Sequence, residues 1–287
     1  MNHVTQQGGR LARWTAHLPG GRRSLPLALP WAAWCWGVIT TAVLACAVLV
    51  AVVPGLDRRR RLARHFARGV LALGGVRLGV GDTRVLPANG CIVVANHASY
   101  LDGIILTAAL PPAFSFVIKK EITRVPVAHF LLRRLGSEFV DRFDARRGAS
   151  DIRRLFKTAG DARALAVFPE GTFQARPGLM AFRRTAFTLA CRADLPVVPV
   201  TIRGARRVLP AGSWMPWPGP VTVLPSPPLP PRPAREAAAL AHAARAEILA
   251  RLWEPDLAPP SADVIPETAN DGFPTAETER ARRSGPI

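Results

Sequence analysis

Four side chains that can move or hold a proton stand within seven residues: Asn96, His97, Ser99 and Asp102 in NHASYLD, directly after the apolar run CIVVA at 91–95. An imidazole beside a carboxylate makes a general-base unit. The carboxylate fixes the tautomer and stabilises the imidazolium, while the other ring nitrogen takes a proton from a substrate hydroxyl. Spacing decides whether the two groups meet. Five residues along a regular helix turn the chain through about 500°, which leaves His97 and Asp102 about 140° apart. They meet if His97 lies on a turn leaving a strand and the helix begins after it, with Ser99 as its cap. A His–Asp pair that only ties a loop uses the same residues, and this stretch alone leaves both readings open.

Three further stretches repeat the pattern of an apolar run ending in polar groups. In AVFPEGTF (166–173), Glu170, Gly171 and Thr172 offer an acceptor, a backbone free to approach a ligand closely and a hydroxyl; a plain turn with a helix cap fits equally. In LGSEFVDR (135–142), Arg142 follows a strand-like EFV, where a guanidinium suits bidentate binding of phosphate; a solvated charge is the usual alternative. In DLPVVPVTIRG (194–204), the prolines at 196 and 199 flank a valine pair, which predicts an irregular or edge strand that could border a groove.

The elements that would carry these groups alternate. CIVVA, FSFVI, EFV, ALAVF, VVPVTI and VTVL read as short strands. Helical spacing lies between them: Ile152, Leu155, Phe156 and Ala159 in DIRRLFKTA, and Phe182, Ala186, Phe187 and Ala190 in AFRRTAFTLACRA. AREAAALAHAARAEILARLW is a strong helix. The pattern predicts an α/β domain with a mixed, largely parallel sheet flanked by helices, whose sites form at the carboxyl ends of strands. Residues 208–232 are rich in proline and hold the spacer PSPPLPPRP.

The amino-terminal third reads differently. No charged residue occurs from Ser24 to Leu56, and Trp31–Val53 forms a 23-residue apolar run. As a helix this is roughly 35 Å, enough to cross a hydrocarbon layer of about 30 Å. Trp31, Trp34 and Trp36 mark one end, and DRRRRLARHFAR follows the other. A membrane helix or helical hairpin therefore precedes the domain, and Pro30 and Gly37 also admit a shallow interfacial helix. The arginines after the run favour retention over cleavage and put the following residues on the cytoplasmic side of a bacterial-type inner membrane. The expected organisation is a basic segment at 1–23, a membrane segment at 24–56, an amphipathic basic connector at 57–80, the main domain at 81–255 and a disordered tail at 256–287. Leu62, Phe66, Val70 and Leu73 give the connector one apolar face, which would lie on a membrane surface or pack on the domain.

The net charge is +18, and only three of the 38 basic residues are lysines. An arginine-rich genome accounts for part of this; an anionic partner, lipid or nucleic acid, accounts for the rest. The basic residues are spread along the chain without a nucleic-acid-binding motif, so no nucleic acid is expected. Cys35, Cys46, Cys91 and Cys191 show no paired spacing and read as small hydrophobes in a reducing compartment, with neither a disulfide nor a metal site.

NHASYLD, GSEFVDR, FPEGT and LPVVPV, in this order, resemble the four blocks of the glycerolipid acyltransferase family of 1-acylglycerol-3-phosphate (lysophosphatidic acid) O-acyltransferases, over about residues 60–250. The resemblance implies direct acyl transfer without cofactor or metal, acyl-CoA or acyl carrier protein being a co-substrate. His97 would be the general base and Asp102 its orienting carboxylate. Arg142, Glu170, Gly171 and Thr172 would bind the lysophospholipid acceptor, with backbone amides near Gly171 at the oxyanion. Asn96, Ser99 and Pro199 would support. Ser99 lacks a nucleophile elbow, which favours a structural role. The family often has an arginine after PEGT; Phe173 stands here, with Arg176 or the FRR at 182–184 as substitute cations. This puts the acceptor headgroup in question and admits another lysolipid, such as lyso-ornithine lipid. A membrane-tethered basic nucleic-acid-binding protein and a lipid-binding scaffold are the alternatives outside catalysis.

Overall fold

A computed structural model describes residues 25–140, 164–259 and 264–265. Its centre is a seven-stranded sheet of β1 (Val76–Val80), β2 (Ile92–Ala95), β3 (Ser115–Lys119), β4 (Glu138–Val140), β5 (Leu165–Val167), β7 (Val197–Arg203) and β8 (Gly219–Pro225), in the order β1-β8-β7-β2-β5-β3-β4. Only the β7–β8 pair is antiparallel. The sheet is thus mixed and largely parallel, as the alternation implies. A short second ladder joins β6 (Phe182–Arg183) to β9 (Val264–Ile265).

Helices cover both faces, so the inner strands are apolar throughout instead of alternating. All four residues of β2 are fully buried. Val93, Ala95, Val198 and Val200 face α2 (Leu56–Leu73) and α3 (Asp102–Ala109), against Leu71, Ile105 and Leu106. Ile92, Val94 and Val197 face α5 (Thr185–Ala193) and α7 (Ala237–Leu252), against Phe187, Leu240 and Ala244. This period-2 division sets each strand's register.

α1 (Leu25–Val52) runs unbroken through Pro30 and Gly37 and is the one helix among the described residues long and apolar enough to cross a membrane. It folds back on α2 through a turn at Gly55, φ +83°, and its Cys46 and Val50 pack against Ala63, Leu131 and Leu135. α4 (Pro126–Arg134) lies beside it. Two tethers fix α1 to the domain. Trp36 Nε1 donates to Trp214 O at 2.7 Å, and Arg134 Nη2 donates to Val50 O at 3.0 Å and to Ala51 O at 2.5 Å.

The connector packs on the domain through its arginines. Arg60, Arg64 and Arg68 recur every four residues and so share one face. Arg64 donates to Ala108 O and Ala109 O, both at 3.2 Å, and Arg68 to Ala108 O at 3.0 Å, so two cations serve the last carbonyls of α3, where the helix dipole is negative. Arg60, 7% exposed, donates to Leu135 O at 3.0 Å, Ala113 O at 2.9 Å and Ser115 Oγ. Part of the basic excess is therefore backbone capping.

Three expectations are corrected. VVPVTI is an inner strand, not an edge. Pro199 is tolerated because its missing N–H would point, with its carbonyl, towards the end of β8, where Ser226 N closes on Pro199 O at 2.8 Å. Phe182 and Arg183 are extended, and the helix begins at Thr185. The chain after residue 255 starts ordered: Asp256 pairs with Arg245, and Val264–Ile265 pair with β6. The helix expected at 152–159 lies outside the described residues.

Replacing Arg60 with Met strands three acceptors, and its expected cost is about 1–3 kcal/mol. Thermal unfolding in detergent should show it, while Met at the exposed Arg61 should stay within about 0.5 kcal/mol.

Candidate active site

β7, β2 and β5 are parallel neighbours, so their carboxyl ends open on one edge. Each end carries one of the polar stretches. Asn96 locks the first to the last: its Nδ2 donates to Ile202 O at 3.0 Å and its Oδ1 accepts from Ile202 N at 2.7 Å. The side chain thus replaces a peptide unit and extends the ladder one residue beyond β2.

The next five residues form a turn gathered by one oxygen. Asp102 Oδ2 accepts from Ala98 N at 2.6 Å, Ser99 N at 2.8 Å and His97 Nδ1 at 2.7 Å. Asp102 is fully buried and starts α3, where the helix dipole favours an anion. The helix therefore begins at Asp102 itself, not with Ser99 as its cap. Ser99 braces the turn from beneath, accepting from Leu101 N at 3.1 Å and donating from Oγ to Leu209 O at 2.7 Å. This fully buried hydroxyl, committed to a carbonyl, is structural. With Asp102 ionised, His97 Nδ1 carries the proton, and Nε2 is the basic nitrogen. The imidazole is 19% exposed.

The glutamate turn closes the other side. Gly171 N donates to Phe168 O at 3.1 Å, which puts Pro169 and Glu170 at the centre of a β-turn, and Gly171 takes φ +77°, where a side chain would be strained. The amide of Gly171 itself is thus engaged in the turn. The Glu170 carboxyl is a clasp: Oε1 accepts from His97 N at 2.6 Å and Oε2 from Met180 N at 2.9 Å. Burial pushes its pKa up to about 8, against the two backbone donors and the Arg206 charge. Phe168 and Phe173 flank the imidazole, each with its ring centroid 4.3 Å away, and Tyr100 meets Phe173 edge-on at 4.8 Å.

Asn96, His97, Ser99, Asp102, Glu170 and Gly171 thus converge. Thr172 lies exposed on the same loop, and Pro199 sits inside β7, paired with Val94. Arg142 lies outside the described residues. Arg176 is exposed on the loop that follows Phe173.

Sequence reasoning missed what holds that loop. Arg206, 6% exposed in α6 (Ala205–Val208), grips Gln174 O and pairs with both oxygens of Glu254 at 3.2 Å; Glu254 Oε2 accepts from Gly178 N at 2.7 Å. Arg245 on α7 donates to Leu179 O and Met180 O, both at 3.1 Å, and pairs with Asp256. The clasp on His97 therefore runs back through Met180 and Arg245 to Asp256. The polar residues on either side of the α7 terminus were the only local signal, and they gave no partner.

A carboxyl held protonated by burial binds its proton more tightly in the folded chain. Its contribution to stability is full below pH 4.5 and is lost as pH rises to about 8. Glu170→Gln also turns one acceptor into a donor facing an N–H. Its deficit in thermal unfolding should be largest near about pH 5 and shrink towards about pH 8. A deficit that grows with pH would mean the clasp is ionised.

The acyltransferase family model matches residues 77–203. The chain is 28% identical over 187 residues, 61% of its length, to the chloroplastic 1-acyl-sn-glycerol-3-phosphate acyltransferase BAT2 of Brassica napus, of which this covers 54%. It is 32% identical over 148 residues, 51% of its length, to the 1-acyl-sn-glycerol-3-phosphate acyltransferase of Neisseria meningitidis serogroup B, covering 57%. It thus spans little more than half the length of these curated relatives. The crystal structure of the 1-acyl-sn-glycerophosphate (LPA) acyltransferase PlsC from Thermotoga maritima superposes with a TM-score of 0.64 at 19% identity, over 77% of this chain and 94% of that one, which is a likeness of fold. The stretch that matches the acyltransferase family model, residues 77–203, holds both the histidine turn and the glutamate turn.

Proposed function

We propose that the protein is a membrane-associated O-acyltransferase that moves a fatty acyl group from acyl-CoA or acyl carrier protein to the free hydroxyl of lysophosphatidic acid, giving phosphatidic acid. The observation that carries the mechanism is the His97–Asp102 pair, with Nδ1 committed to the carboxylate and Nε2 at the edge where three strand ends meet.

His97 Nε2 takes the acceptor hydroxyl's proton as that oxygen attacks the thioester carbonyl carbon. Asp102 stabilises the imidazolium. When the tetrahedral adduct collapses, the C–S bond breaks and the thiolate leaves with the proton from Nε2. No acyl-enzyme is needed. Phe168 and Phe173 fix the ring's tilt, and Glu170 fixes the backbone that carries it. Arg142 and Thr172 hold the acceptor phosphate in this reading.

Phe173 favours a second acceptor. An aromatic ring packed on His97 stands where the resemblance leads one to expect a cation, so a lysolipid with a different headgroup, such as lyso-ornithine lipid, suits the same chemistry.

α1 is the membrane element. Its tethers at Trp36 and at Val50–Ala51 lie about 21 Å apart along the helix axis. The domain accompanies it over that length, which supports α1 lying with α2 on one leaflet in place of standing clear across the bilayer. The cytoplasmic side is the side proposed for the domain, from the arginines after α1.

Purified protein in mixed micelles, given labelled acyl-CoA or acyl carrier protein, tests the reaction. His97→Ala and Asp102→Asn should each lose about 10²–10⁴-fold in kcat. Retained turnover in His97→Ala would refute the base. In the same assay, Phe173→Arg should raise transfer to lysophosphatidic acid relative to lyso-ornithine lipid. No change in that ratio would remove Phe173 from acceptor choice.

A further inference from the structure

The segment Lys119–Arg133 is the C-terminal exit of β3, the 3₁₀ turn Lys120–Arg124 and most of α4. It leaves four apolar side chains in solvent within nine residues: Ile122 at 37%, Val125 at 52%, Val127 at 39% and Phe130 at 42% exposure. Among the described residues, none of the four belongs to a buried apolar cluster. The adjoining side of α4 packs inward, Leu131, one turn on from Val127, and Leu135 meeting Cys46 and Val50. Cations frame the exposed side: Lys119, Lys120, Arg124 and Arg133 all lie at the surface, against the single carboxylate Glu121. Exposed apolar side chains ringed by basic groups are what an anionic bilayer surface takes up, the first entering the acyl boundary and the second meeting headgroups.

Continuity identifies the occupant. Arg134, one helical turn from Phe130, donates to the last carbonyls of α1 at Val50 and Ala51. The bare face of α1 carries Leu44, Val48, Leu49 and Val52, the last 73% exposed, and Leu56 opens α2 just beyond. The two apolar areas adjoin at that end of α1. A protein partner would need to cover α4 while leaving a neighbouring lipid-facing helix bare.

We propose that residues 119–133 are a second membrane-docking element, which enters the headgroup region of an anionic leaflet beside α1. The inference rests on the reading of α1 as lipid-facing. β3 is the neighbour of β5, so this exit leaves the sheet on the same edge as Glu170 and His97. Docking there brings the bilayer to the side of the domain where a lysolipid enters.

The test uses the full chain with Cys35, Cys46, Cys91 and Cys191 replaced by Ala, reconstituted in phosphatidylcholine vesicles with and without phosphatidylglycerol. Single cysteines at Val48, Val125, Phe130 and Arg235 carry a polarity-sensitive fluorophore, and nitroxide-bearing lipids serve as quenchers. Arg235 is 82% exposed and precedes α7, on the opposite face of the sheet. The expected result is quenching and a blue shift at 125 and 130 comparable with those at 48, deeper quenching with phosphatidylglycerol, and none at 235. Quenching at 48 without quenching at 125 and 130 overturns the second element and leaves the membrane reading intact. An unquenched label at 48 overturns both. Quenching at 125 and 130 that ignores phosphatidylglycerol overturns the anionic requirement. A blue shift there on adding acyl carrier protein, with no lipid quenching, overturns the proposal in favour of a protein-docking face.

Discussion

The parallel pairing of β2 with both β5 and β7 is the constraint on which the site depends. Parallel neighbours end at the same edge, so stretches 73 and 106 residues apart in the chain reach one place. The core makes this register expensive to change. A slip of one residue in β2 would turn Val93 and Ala95 towards α5 and α7, and Ile92 and Val94 towards α2 and α3. Asn96 and Glu170 then convert strand alignment into loop alignment, each by spending both of its polar atoms on backbone groups of another segment. The imidazole is positioned from its own main-chain amide, from Nδ1 and from both ring faces.

Arginine does much of the structural work. Arg60, Arg64 and Arg68 join α2 to the core through carbonyl oxygens, Arg134 caps α1, and Arg206 and Arg245 hold the loop behind Glu170. A planar guanidinium presents five donors, so one side chain can satisfy several orphan carbonyls at once, which an ammonium on a flexible stem does less well. The dominance of arginine over lysine in this chain therefore has a cause inside the fold as well as any at its surface. The match to the acyltransferase family model ends at residue 203. Arg206, Arg245, Glu254 and Asp256 lie beyond it, so residues outside the matched region hold the loop behind Glu170.

Phe173 shows how a departure from a familiar pattern acquires meaning from contacts. In the chain it is a missing cation. In the fold it is half of an aromatic clamp on His97, with Tyr100 bracing its edge.

The sequence by itself determined the alternating elements, the apolar α1 and the residue types at each strand end. These follow from local signals: hydrophobic period, helix-breaking residues and polar groups at the end of an apolar run. It also carried the two readings of His97 and Asp102 without choosing between them. The tertiary structure brings the two groups together, because the helix starts at Asp102 and returns the carboxylate to the imidazole. Only the fold decided that VVPVTI is an inner strand, since Pro199 needs the neighbouring ladder to end where its N–H is lacking. Only the fold turned the arginines of α2 inward, because a cation's partner is a carbonyl some 40 to 75 residues away. A hydrogen bond of that span leaves no periodicity in the chain. It exists where two separately encoded elements are brought together, and that meeting is fixed by burial across the whole sheet.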